Sequence, residues 1–277
     1  MTQKNRRTFF VDVSTFLVAT AMCVNRSAHA QWPPGAPRKS TPERDGASEQ
    51  YSSNSDGYSV PDGPSEVGGC TYLRSSAIKL SDIGEIVSSL GDSRIDQLAE
   101  AEARVLSSAF RVRPALGFIR EAGAPNAFAT NKRVFEDRPG NGTVLLGQKM
   151  VSSNILQHRN DFSRWGTAVM LVMAHEWGHI LQFQTMKSFG NPLDELIADF
   201  MAGWYLAGKS QLGARVEYRV AGEEIYSIGD FAFNSPDHHG TPAQRLAALN
   251  AGGSASFGNP NLNSSQALSL AVRALAR

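Results

Sequence analysis

His175, Glu176 and His179 stand in "AVMLVMAHEWGHILQFQ" (168–184), a run otherwise dominated by apolar side chains. Burying imidazole and carboxylate groups costs free energy unless each finds a partner. At i and i+4 the two imidazoles lie on one face of a helix, close enough to share one metal ion. Neutral ring nitrogens suit zinc, and one Zn²⁺ supplies both rings with a partner. Glu176 projects about 100° round the helix from His175. That direction is wrong for a third ligand but right for reaching water on the metal, where a general base is needed.

A metal held by two histidines needs another donor. Glu195 follows His179 by 16 residues, in "ELIAD". The intervening "ILQFQTMKSFGNPLD" suffices to end one helix, turn, and start a second packed antiparallel to it. Glu195 then completes a His₂Glu set with a fourth position open. Asp199, one turn further on the same face, is placed to accept the outer N–H of a ligand histidine and fix its tautomer. In "SPDHHGTPAQR" (235–245), Thr241 reads as a helix N-cap with Pro242 at the first helical position. His239 is a candidate donor to the oxyanion of a tetrahedral intermediate; equally, it belongs to a plain loop ahead of that helix. Tyr205, Tyr218 and Tyr226 are further candidates for that donor. Arg245 either ties its helix to Asp199 or Glu195, or faces solvent. His158, in "LQHRND", reads as a surface residue.

HEWGH followed by ELIAD resembles the glutamate-zincin metallopeptidases, which share an H-E-x-x-H plus E-x-x-x-D pattern with thermolysin. "NAFAT" (126–130), "GTVLLG" (142–147) and the HEWGH helix resemble the sheet and catalytic helix of the CAAX-processing and heat-shock-type membrane zinc peptidases. "ELIADFMAGWYLA" and "HGTPAQR" are similar to segments of bacterial neutral zinc metallopeptidases. The likeness spans roughly 110–250, about half the chain. It implies a zinc endopeptidase that hydrolyses peptide bonds with Glu176 as base and takes a polypeptide as substrate. It also implies that strand 143–147 is a sheet edge along which the substrate lies as an added strand, with Asn126 near it. Asn126 reads equally well as a turn residue after Pro125. A catalytically silent binding or chaperone-like module on the same fold is the alternative. A zinc hydrolase acting on non-peptide bonds is a third reading.

The surrounding pattern supplies elements to position these residues. "DSRIDQLAEAEARVLSSAF" (92–110), with Ile95, Leu98, Ala99, Ala101 and Val105 apolar and Asp92 as cap, predicts an amphipathic helix. Strands are expected at 113–121, 126–135 and 143–148, with "RPGNG" as a turn, giving a small, hairpin-rich sheet. Helices follow at about 165–186, from 192 or 194 to 208, around 221–228, and from Thr241 onward. Sheet first and helices after makes the class α+β, a small antiparallel or mixed sheet followed by zincin-type active-site helices.

Composition agrees with one main globular domain: 277 residues, 42% hydrophobic and 19% charged, with net charge +1. Neither nucleic acid nor an anionic membrane is indicated as a partner. Residues 1–30 read as an export signal: basic residues up to Arg7, the apolar "FFVDVSTFLVATAMCV", then "SAHA" as a cleavage point. "NRRTFF" resembles a twin-arginine motif. The expected destination is the periplasm or the medium, the alternative an N-terminal membrane anchor. From 31 to 69, 19 of 39 residues are Pro, Gly or Ser, too few apolar side chains for a core, so a disordered linker is expected. The metallopeptidase-like domain then covers 70–277. With Cys23 in the signal, Cys70 stands alone and no disulfide is expected within the mature chain.

Overall fold

Apolar periodicity builds a helical layer over one face of a five-stranded sheet, as seen in a computed structural model that describes residues 71–72, 83–159, 161–186, 188–231 and 238–276. The expected signal (1–30) and linker (31–69), and both cysteines, lie outside the described residues. The strands are β1 (Thr71–Tyr72), β2 (Gly84–Val87), β3 (Ala115–Glu121), β4 (Ala127–Thr130) and β5 (Thr143–Gly147). Seven helices are described: α1 (Ser93–Phe110), α2 (Gln148–Gln157), α3 (Phe162–Thr185), α4 (Leu193–Gln211), α5 (Tyr218–Ser227), α6 (Pro242–Gly258) and α7 (Ser264–Leu275). The class is α+β, as expected. No helix among the described residues is long and apolar enough to cross a membrane.

Strand order is β1-β4-β5-β3-β2. β5 runs antiparallel to β4 and parallel to β3, while β1 lies parallel on β4 and β2 antiparallel on β3. The mixed sheet is as expected, but it is not a run of hairpins, because β5 inserts between β3 and β4 and keeps those sequential strands apart. More consequentially, β5 is interior: Val144, Leu145 and Leu146 pair on one side with β4 and on the other with β3. Its backbone groups are committed on both sides, so a polypeptide cannot add to strand 143–147. The side chains explain the position. Val144 and Leu146 enter the main core while Leu145 joins Ile83, Ile119 and Phe128 on the other face. A strand apolar on both faces is covered on both.

Helix α1 forms where expected, capped by Asp92, whose carboxylate accepts from the Arg94 amide at 2.7 Å. Its buried face differs from the expected one. Ala99, Ala103, Leu106 and Phe110 face the core, whereas Leu98 and Val105 are exposed. Strands β1 and β2 and helices α2 and α7 have no counterpart among the elements expected from sequence. At the start of α2 the buried Glu121 carboxylate accepts from the amides of Lys149 and Met150, both at 2.9 Å. It also accepts from the Asn126 amide at 3.2 Å, and the Asn126 side chain takes the Ala127 amide. Asn126 thus serves the turn.

His158 is another correction. It is buried, with Nε2 3.2 Å from Glu224 of α5. Helices α4 and α6 approach so closely that a Cβ on Gly203 would lie 2.0 Å from the Leu249 carbonyl oxygen. Backbone cannot yield as a flexible side chain does, so Gly203→Ala is expected to destabilise the fold by about 1–3 kcal/mol or more. Urea unfolding measures this; an unchanged midpoint would show that the two helices can separate freely.

Candidate metal centre

Helix α3 is the central helix, packed against α1, α2, α4, α5 and the sheet strands β4 and β5. A helix surrounded on all sides needs apolar residues all round, which is why Thr167 to Met173 and Trp177 to Leu181 are apolar or small on nearly every face. Asp161 caps its start through the Ser163 amide at 3.0 Å. On one flank Trp177 donates from Nε1 to the Ser107 hydroxyl of α1 at 3.3 Å. Toward α4, Gly178 leaves room: a Cβ there would stand 3.2 Å from the Ala198 Cα. That small residue inside HEWGH lets α4 come close enough for its carboxylates to meet the imidazoles.

The turn between α3 and α4 sets the register. Gln182 donates to the Asp194 carbonyl at 2.9 Å. The Asp194 carboxylate gathers the Phe189 and Gly190 amides at 3.0 and 3.1 Å and the Ser188 hydroxyl. With α4 so placed, Glu195 and Asp199 at i and i+4 face His175 and His179 at i and i+4. Glu195 Oε2 lies 3.2 Å from His175 Nε2, and Oε1 lies 3.4 Å from His179 Nε2. The two Nε2 atoms are 3.0 Å apart, with the rings nearly perpendicular at 87°. Ligand atoms of His175, His179 and Glu195 all fall within 4.8 Å of one another, and this group can hold a metal ion.

The donor chemistry fits a divalent cation. His175 Nδ1 meets Asp199 Oδ1 at 2.8 Å, so its other nitrogen is the one presented toward His179 and Glu195. Two imidazole nitrogens and a carboxylate converging in a buried space are an N,N,O set of the kind zinc favours. Asp199 is itself held: Arg245 of α6 donates from Nε to Oδ2 at 2.7 Å and from Nη2 to Oδ1 at 2.8 Å. The same guanidinium comes within 3.6 Å of Glu195 and donates to the Ile228 carbonyl at 3.3 Å. Of the two alternatives for Arg245, the buried tie is the one observed. A fork-to-fork guanidinium–carboxylate pair fixes Asp199 in orientation as well as charge. His175, Glu176, His179, Glu195, Asp199 and Arg245 are all 0–1% exposed.

Burial alone would neutralise these groups, but their partners win. Burial pushes the His175 pKa down, and the Asp199 and Glu195 carboxylates more than offset this, raising it from 6.5 to about 9. Burial would raise Glu195, yet His179 and His175 hold it well below the usual carboxylate range. Arg245, aided by His175, outweighs burial for Asp199 and lowers it too. In chelator-treated protein the extra His175 proton therefore stabilises the fold fully below pH 6.5. That contribution is lost as pH rises through about 9. Thermal unfolding across this window should show the midpoint falling, and metal uptake should release a proton there. A midpoint that stays flat, with no proton released, would mean that His175 is already neutral.

The remaining candidates are not among the three converging residues. His239 sits on the loop before α6, outside the three-residue group. Its amide donates to Asp230 Oδ2 at 2.9 Å and its Nδ1 lies 3.4 Å from the same oxygen. His238 Nδ1 meets Asp230 Oδ1 at 2.5 Å. Asp230 thus organises both histidines, a role that no spacing in the sequence announced. Thr241 caps α6 with Gln244 in a reciprocal capping box. Tyr205 donates its hydroxyl to Glu102 of α1 and is removed from the donor candidates. Tyr218 packs toward Phe257, with burial pushing its pKa up to about 12; Tyr226 is exposed. No family model matches the chain, and no curated protein or solved structure is detectably similar to it.

Proposed function

We propose that this chain is an exported zinc peptidase, with His175, His179 and Glu195 as ligands and Glu176 as general base. The observation that supports it most is the convergence of His175, His179 and Glu195 from two helices, with Glu176 beside His175 and outside the ligand group. Zinc held there would lower the pKa of a water molecule to near 7 and polarise a carbonyl oxygen. The protein's own side chains do the rest. Glu176 takes the proton that the attacking water gives up and returns it to the amide nitrogen as the C–N bond breaks. Asp199 holds the His175 ring through Nδ1, and Arg245 holds Asp199. His239 and His238, steadied by Asp230, are the candidates for a donor to the developing oxyanion. The N-terminal basic and apolar pattern supports export. Because β5 is interior, a polypeptide substrate would have to lie elsewhere than on strand 143–147.

A second reading draws support from burial. Ligands and Glu176 are all within 1% of complete exclusion from solvent, which suits a metal held for structure in a non-catalytic module. One experiment separates the two: casein cleavage by the chain after zinc loading and after chelation, with bound metal measured in both. Cleavage that appears with zinc supports the peptidase. Bound zinc without cleavage, together with a large loss of stability on chelation, supports the structural module. Failure to bind any divalent metal rejects both.

A further inference from the structure

On the α1 side of Trp177, which donates to Ser107, the last turns of α1 carry a second polar constellation. Arg104, Ser107, Ser108 and Arg111 recur at i, i+3, i+4 and i+7, so they share one stripe of the helix, distinct from the core stripe of Ala99, Ala103, Leu106 and Phe110. The helix stops at Arg111, whose left-handed backbone (φ 58°, ψ 33°) turns the chain back. Arg113 thereby joins the same concavity, a pocket of about 640 Å³ that contains no acidic residue in its lining. Arg113 is presented from a fixed backbone: its amide donates to Asn141 Oδ1 at 3.2 Å and its carbonyl accepts from the Asn141 amide at 2.9 Å.

Among the described residues none of the three guanidiniums makes a side-chain hydrogen bond or ion pair. Three like charges in one concavity raise its potential and favour an anion. Ser107 adds a donor: its oxygen already accepts from Trp177, leaving the hydroxyl hydrogen to point elsewhere. We infer that this pocket binds a phosphate group, either free or as a monoester. Planar guanidinium forks match the paired oxygens of phosphate. Three of them with two hydroxyls suit a tetrahedral dianion better than a carboxylate, which offers one charge and two oxygens.

Calorimetric titration of the full chain with inorganic phosphate and with O-phosphoserine, at constant ionic strength and with acetate as control, tests this directly. Saturable binding of one or both, with none for acetate, is the expected result. Arg104→Gln, Arg111→Gln and Arg113→Gln combined should weaken it by at least about tenfold, since each lost charged hydrogen bond is worth that order. All three arginines are exposed, so the core is spared. Should the triple variant not fold, ¹⁵N signals of the arginine Nε groups in the parent report the same contact. Tighter phosphoserine binding identifies an esterified ligand, and tighter inorganic phosphate a free one; either supports the site. Absence of saturation by both probes overturns it, as does affinity unchanged in the variant or arginine signals that do not move.

Discussion

In the proposed peptidase, Glu176→Gln is expected to lower peptide-bond cleavage by about 10²–10⁴-fold, the contribution typical of a positioned general base. The substitution keeps the side chain's shape, which matters at a residue with no solvent exposure. It removes the charge that makes the group a proton acceptor. Because Glu176 lies outside the ligand group, metal content should stay at the parent's level, and this second readout gives the experiment its force. Cleavage that survives the change would reject Glu176 as the base. Loss of metal alongside activity would instead make it a ligand, and the roles of Glu176 and Glu195 would need to be exchanged.

Removal of Arg245 should have the largest effect on stability. Its guanidinium is fully buried and bridges Asp199 to the neighbourhood of Glu195. Arg245→Ala leaves Asp199 as a buried carboxylate short of its main cation. Breaking one side of such a pair costs about 3–5 kcal/mol. Urea unfolding of chelator-treated protein should report a loss of that order. Arg245→Met preserves most of the volume and isolates the charge from the packing. The double change Arg245→Met with Asp199→Asn removes both charges while keeping an acceptor for His175 Nδ1, and should recover part of the loss, because the cost lies in the unpaired ion more than in the missing pair. A single variant as stable as the parent would mean that water reaches Asp199 and the cluster is not sealed.

These two residues also show what could be read in advance. For Glu176 the sequence carries its angular position beside His175, since the placement of neighbours on a helix is a local property of the backbone. Arg245 could be read only as two alternatives. Its partner is 46 residues away, and nothing in "TPAQR" itself says which way the helix will face. Nothing in the sequence marks Asp230, since a carboxylate eight or nine residues before two histidines is no recognisable pattern. His158 departs from its expected surface position for a related reason. A polar stretch reads as surface, whereas Glu224, brought over on α5, gives the imidazole an internal partner.

What the sequence by itself determined is the short-range geometry. The two i, i+4 pairs, the Asp92 and Thr241 caps and the α+β order of elements follow from the 3.6-residue and two-residue periods and from side chains that reach only their own turn. Tertiary structure alone decided which surfaces meet. It put β5 inside the sheet rather than at its edge, chose Ala103 and Leu106 over Leu98 and Val105 as the buried face of α1, and drew Arg245 under Asp199. Each of these depends on the simultaneous burial of apolar faces from segments far apart in the chain, and no single segment carries that information.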